Sequence, residues 1–512
     1  MRAYKSILFF IFCAYTSLSA ASDPSLKSLY HSIDPQSIPQ NSAFYTLYPE
    51  SPEGKQALNR VWSQLTGQSS SETHFIDFNL SLSVVNQLIE LVNKPAMKKM
   101  PLLSDQELEA IASIGKHLKN RHLKGSKALS ETEVINLPTE EVDLARGLLL
   151  SQLKDDEDKW KKIRSYEAML DLMALQVNAK MGHNPSPEEM IKALNAFVFF
   201  DLEFAFPPHS LYAKDIDEYT FLPSVLDSRK GVCLGVSILY MCLAQRIGLK
   251  LELVTPPGHI YVRYRNPDKT VNIETTARGI HIDDDDYLGI NTTGLQERTV
   301  KETIGLAHFN QASVYWGTGN PQKAYESYQI AKHYLKNDSL LSELEAYSLL
   351  AIGKKQEGLK QLKEISKQAP SFAMTQDSLC EDCLNGQCNG EAILAILKHV
   401  DEKRSSILEK KKIIESYTKK FPKFKSGYFH LAIAHLQLHN TKEAIQSLEK
   451  YHQLDAGNPN VEYFLAALYL ERGNYPKAWQ HFDDLQTISK SHHHEPKELK
   501  RLQRALNVKS KR

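Results

Sequence analysis

The chain reads as α+β: a helical N-terminal region, a core in which a Cys-bearing helix packs on antiparallel strands, and then an α-helical solenoid. Three observations predict this. Gly231 to Gly248, G-V-C-L-G-V-S-I-L-Y-M-C-L-A-Q-R-I-G, is a strongly apolar run closed by a glycine, the pattern of a buried helix ending on a C′ residue. Residues 259–265 and 270–275 alternate apolar and polar side chains around the turn N-P-D-K, as a half-buried hairpin does. Beyond Val300, small residues recur every 34 positions, the period of stacked helical hairpins.

The start M-R-A-Y-K, the apolar run Ser6 to Tyr15 and S-A-A at Ser19 to Ala21 have the layout of a secretory signal peptide, 1–21, cleaved after Ala21. The apolar run is only about ten residues, whereas a span needs roughly 20. No later stretch is long or apolar enough to cross a bilayer, so the expected product is exported, periplasmic or secreted, with no membrane span after signal removal. Residues 22–185 are expected to be mainly helical, opening on an extended arm at 22–50. S-D-Q-E at Ser104 to Glu107 is a capping box, Thr139 is placed to cap a helix running through Leu148 to Leu150, and S-P-E-E at Ser186 to Glu189, with Pro187 at the first helical position, starts the helix that enters the core at 186–300.

Within that core a nucleophile, a base and an orienter fall close together: Cys233, His259 and Glu274. Cys233 stands at a helix start, where orphan N–H groups favour a thiolate. An imidazole takes the proton and a carboxylate fixes its tautomer. The hairpin supplies a geometric check. A four-residue loop makes cross-strand partners sum to 535, so His259 faces Thr276, Tyr261 faces Glu274 and Arg263 faces Asn272 on one side. Ile260, Val262 and Tyr264 pair with Thr275, Ile273 and Val271 on the apolar side. Glu274 becomes a diagonal neighbour of His259, and an odd-length loop would have turned it to the wrong face. Cys242, nine residues after Cys233, lies about half a turn around the helix and reads as a buried, inert thiol.

From about Ala196 to Gly279 the chain resembles the transglutaminase-like, papain-related core. The resemblance rests on R-x-G-x-C-L-G at Arg229 to Gly235, P-G-H ending at His259, L-N-A-F at Leu194 to Phe197, the Tyr212 region and F-L-P-S-V-L at Phe221 to Leu226. It implies a helix-borne Cys meeting His and an acidic residue on neighbouring antiparallel strands. Where that family has Asp followed by Pro, this chain has Glu274 followed by Thr275, one methylene longer.

The solenoid falls in two blocks, 301–370 and 391–490. Ala324 and Gly358 are one period apart, as are Ala444 and Ala478, and Ala432 and Ala466; Ile414, Tyr417 and Pro422 mark a degenerate unit upstream. The blocks resemble tetratricopeptide repeats, which implies a protein or peptide partner on the concave surface. Between them, the insertion 371–390 carries Cys380, Cys383 and Cys388. In an exported chain a local disulfide is one reading, and zinc held by these thiols with His399 is another. Neither is catalytic, and no cofactor or catalytic metal is expected. His492 to His494 open a polar tail, 491–512.

Lys and Arg number 62 against 61 Asp and Glu, so the net charge of +1 gives no general attraction to nucleic acid. A content of 42% hydrophobic and 24% charged residues is that of a globular chain. The leading expectation is an exported cysteine enzyme, a peptidase, amidase or amide-transferring enzyme acting on a protein or peptide through a Cys233–His259–Glu274 triad. The alternative is a non-catalytic envelope scaffold that uses the same fold for binding.

Overall fold

The computed structural model describes residues 24–66, 102–153, 158–182, 184–207, 219–367, 372–401 and 403–510. The expected signal peptide and Tyr212 lie outside the described residues. Two compact units are formed, one from within Met1–His122, Asp156–Leu202 and Arg246–Leu249, the other from Leu123–Asp155, Glu203–Gln245 and Lys250–Arg512.

Within the first unit the described residues are helical from Pro24. The extended arm expected at 22–50 is instead two helices, Pro24–Ser32 and Ile38–Leu47. Ser37 caps the second by accepting from the Gln40 N–H, and Tyr30 packs on Phe44 with ring centroids 5.3 Å apart. These short helices owe their order to aromatic packing against Ala57 rather than to apolar periodicity. Both expected capping boxes form, Ser104 with Glu107 and Ser186 with Glu189. The helix Lys159–Ala179 buries Asp171 completely. Its carboxylate accepts from Arg246 Nε at 2.8 Å and also pairs with Arg121. Removing the shared carboxylate of such a buried ion-pair cluster costs about 3–5 kcal/mol.

In the second unit a four-stranded antiparallel sheet has the order β3-β2-β1-β4: β1 Glu252–Thr255, β2 Tyr261–Asn266, β3 Lys269–Ile273 and β4 Gln296–Arg298. Val262 pairs with Ile273, Arg263 with Asn272 and Tyr264 with Val271, the register read from the sequence. The loop is tighter than expected. Asn266 pairs with Lys269, because the Asn266 side chain accepts from the backbone N–H groups of Asp268 and Lys269 at 3.0 and 2.7 Å and closes the turn itself. At the other end the ladder stops at Val262 and Ile273, so Tyr261–Glu274 and His259–Thr276 are not ladder partners. Glu274 instead caps a 3-10 turn, Thr275–Ala277.

The helix expected to start at Thr139 begins later. Thr139–Glu141 is a 3-10 turn, and Asp143, accepting from Arg146 N–H, caps the helix Leu144–Gln152. The helix Cys233–Ile247 ends at Gly248, whose φ of +88° is the left-handed conformation glycine favours at that position.

Helical hairpins follow: Val300–Gly317 with Pro321–Lys332, Ser339–Ala351 with Lys355–Ile365, Lys425–Gln437 with Thr441–Leu454, and Pro459–Glu471 with Tyr475–Ser491. Ala324, Ala444, Ala466 and Ala478 are fully buried, as close helix approach requires. At Gly358 an added Cβ would sit 2.8 Å from Leu350. The insertion is not simply a loop: Cys380 and Cys383 lie on a helix, Ser378–Leu384, capped by Asp377. Cys383 is disulfide-bonded to Cys388, and Cys380 is a free, buried thiol. With two thiols in the bond, the set with Cys380 and His399 falls short of the four ligands structural zinc takes.

A candidate cysteine, histidine and glutamate site

Cys233 is the first residue of its helix and is partly exposed. The approach to it is tightly set. Arg229, at φ 53°, ends the preceding helix Leu222–Ser228, and Gly231 N–H donates to the Ala205 carbonyl at 3.2 Å. Val232 N–H then donates to the Tyr219 carbonyl at 3.1 Å. That carbonyl lies so near the first helical turn that a Cβ on Gly235 would stand 2.1 Å from its oxygen. One turn on, Ser237 Oγ and Thr275 Oγ1 share a buried hydrogen bond of 2.9 Å. This bond ties the Cys233 helix to the residue next to Glu274.

His259 follows the turn made by Pro256 and Gly258, with its N–H bonded to the Pro256 carbonyl at 3.1 Å. Its Nε2 lies 2.6 Å from Glu274 Oε2, and Cys233 is the other neighbour that favours its charged form. Glu274 is almost fully buried, and its other oxygen accepts from Thr276 Oγ1 at 2.6 Å and Thr276 N–H at 3.2 Å. Tyr287 Oη donates to Oε2 at 2.7 Å.

The electrostatics follow from this arrangement. Burial by itself opposes a charged imidazole, but the neighbouring Cys233 and Glu274 outweigh it and push His259 up to about 9. Burial likewise opposes the carboxylate, yet hydrogen bonds from His259, Thr276 and Tyr287 pull Glu274 down to about 2. Both shifts favour a charged imidazole facing a charged carboxylate.

The three residues singled out in the sequence are brought together. Sequence reasoning missed Tyr287, whose ring stacks against His259 and against Tyr261, with centroids 5.7 and 4.5 Å away. It also missed Asp284. Tyr261 Oη and Asn272 Nδ2 both donate to Asp284 Oδ1, at 3.0 and 2.7 Å, while Arg263 donates to Asn272 and to Tyr261. The polar face expected for Tyr261, Arg263 and Asn272 is thus a closed network. Its outer members come from the acidic run 283–286 and Tyr287, which has neither strand nor helix period to announce it. Cys242 is fully buried.

Residues 164–312 match the transglutaminase-like superfamily, and residues 435–503 match a tetratricopeptide repeat. The chain carries a transglutaminase-like core followed by a tetratricopeptide region. No curated protein matches it. Among solved structures, a thermophilic tetratricopeptide-repeat protein of Thermus thermophilus is 15% identical, covers 40% of this chain and 98% of its own, and has a TM-score of 0.21. The TPR2AB domain of yeast Sti1, in complex with pHSP90, is 15% identical over 41% of this chain and 99% of its own, with a TM-score of 0.21. MamA of Desulfovibrio magneticus is 15% identical over 36% and 96%, with a TM-score of 0.18.

Proposed function

We propose that this chain is an exported cysteine enzyme of transglutaminase-like type that acts on an amide or acyl group, with its tetratricopeptide array holding a protein or peptide partner. The observation that carries the reading is the Glu274–His259 bond of 2.6 Å, with Cys233, at a helix start, as the other neighbour that favours the charged imidazole. In the proposed reaction the Cys233 sulfur attacks a carbonyl carbon and forms a C–S bond. His259 gives its proton to the departing amine as the C–N bond breaks. The thioester then passes its acyl group to water or to an amine, whose proton returns to His259. Glu274 keeps the ring oriented and supports its charge throughout. The partial exposure of Cys233 and His259 leaves room for a substrate to reach them. Among the described residues no helix is long and apolar enough to cross a membrane.

Incubating the full chain with an envelope extract and identifying adducts by mass tests this reading. A thioester on Cys233 that is absent from Cys233→Ser supports it. Extracts that leave Cys233 unmodified while the chain still retains a protein through 301–490 would instead favour a binding scaffold. The mature N-terminus, read by sequencing, tests export: it is expected at residue 22, and a main species starting at Met1 would count against cleavage.

A further inference from the structure

We propose that His452, Glu462 and His481 form a site for one divalent transition-metal ion of the zinc class. Each residue comes from a different helix: Thr441–Leu454, Pro459–Glu471 and Tyr475–Ser491. Their ligand atoms all lie within 4.8 Å of one another. His452 Nδ1 is 2.6 Å from Glu462 Oε1, and His481 Nδ1 is 2.8 Å from Oε2. The two rings meet edge to face at 5.1 Å. Zinc bonds of roughly 2.0–2.2 Å set ligand atoms about 3.3 Å apart in a tetrahedron, so a small outward shift of both rings admits the ion. Two imidazoles and one carboxylate suit zinc and its neighbours and leave a further position for water.

The surroundings are built as metal sites are. Glu462 is fully buried and His481 is 2% exposed, so these groups meet an ion in a medium where charge is poorly screened. Ligation through Nδ1 leaves the ring proton on Nε2, and His481 Nε2 faces Glu449 Oε1 at 4.0 Å. Glu449 is itself fixed by Tyr469 Oη and by Lys477 Nζ, while the Tyr469 ring lies parallel to His481 at 5.7 Å. A carboxylate behind the far nitrogen of a ligating histidine is the usual support for metal binding. His452, with 21% of its side chain exposed, provides the entry.

Repeat packing does not require these residues. One period upstream, the same positions hold Thr418, Tyr428 and Ser447. Without metal the carboxylate accepts one hydrogen bond per oxygen. With metal, the same three atoms clamp three successive helices.

Titration of the full chain with Co²⁺, followed by its visible d–d bands, and competition by Zn²⁺ test the proposal. One ion per chain is expected, with no thiolate charge-transfer band. His452→Gln and Glu462→Gln should each weaken binding by more than about tenfold, and zinc should raise the Tm of the wild type but not of His452→Gln. The double variant His492→Ser, His493→Ser should bind as the wild type does. Equal affinity in wild type and His452→Gln, loss confined to the tail double variant, or a thiolate band pointing to Cys233 would each overturn it. Should Glu462→Gln lose helicity by circular dichroism, His452→Gln at the open edge decides alone.

Discussion

The Tyr287 ring lies against His259 with planes 14° apart, while its hydroxyl donates to the same Glu274 oxygen that holds the imidazole. In the proposed reaction Tyr287 is therefore a positioning residue, touching both Glu274 and His259. Tyr287→Phe keeps the ring and removes one charge-assisted hydrogen bond, a loss of about 1.5–3 kcal/mol. Iodoacetamide labelling of Cys233 at neutral pH is expected to slow roughly tenfold, and the acid limb of its pH profile, set by Glu274, should move to higher pH. A merely structural Tyr287 would change Tm and leave the pH profile where it was.

Labelling should also be selective. Cys233 is partly exposed beside an imidazolium, whereas Cys242 and Cys380 are buried, and burial pushes the Cys380 thiol up to about 12. His259→Ala removes both the base and the neighbouring cation, so alkylation of Cys233 near neutral pH should fall by more than about tenfold. Glu274→Gln keeps a hydrogen-bond acceptor but not the charge, and its effect should be smaller. Identical rates against pH in wild type and both variants, each confirmed folded, would remove the physical basis of the triad.

The pair also predicts a pH window for stability. His259 is raised from its ordinary 6.5 to about 9, so its contribution is full below pH 6.5 and is lost as pH rises through about 9. Glu274 is lowered from 4.5 to about 2, so its contribution is full above pH 4.5 and is lost as pH falls through about 2. The Tm difference between wild type and Glu274→Gln should thus be largest between pH 4.5 and 6.5 and shrink on either side. A difference that stays constant from pH 4 to 9 would show that His259 and Glu274 do not form an ion pair.

Much of this site was legible in the sequence, because a strand's period of two converts a register into a statement about faces. The sum of 535 survived a loop tighter than expected, since closing the turn at Asn266 and Lys269 leaves the pairing of Val262 with Ile273 unchanged. What resisted reading was supplied by side chains without period. Tyr287 and Asp284 enter from an acidic loop, Asp143 displaced Thr139 as a cap, and the helices before residue 48 are held by Tyr30 and Phe44 across a turn. His452, Glu462 and His481 were invisible for the same reason: each sits at an arbitrary place on its own helix, and only packing brings them together.

The position of Cys233 depends on a close approach that a single methyl group would block. A Cβ on Gly235 would meet the Tyr219 carbonyl oxygen at 2.1 Å and Val225 Cγ2 at 2.9 Å. The first contact is with backbone, which cannot rotate aside as a side chain can. The same carbonyl accepts from Val232 N–H, the residue before Cys233, so any shift of residue 219 also moves the helix start. Gly235→Ala should therefore destabilise by about 1–3 kcal/mol, seen as a lower Tm, and should slow labelling of Cys233 by displacing its sulfur from His259. Gly182→Ala, where an added Cβ meets nothing within 4 Å, is the matched control and should stay within about 0.5 kcal/mol of wild type. If Gly235→Ala matched wild type in both Tm and labelling rate, the approach of Tyr219 to this helix would not be what fixes the position of Cys233.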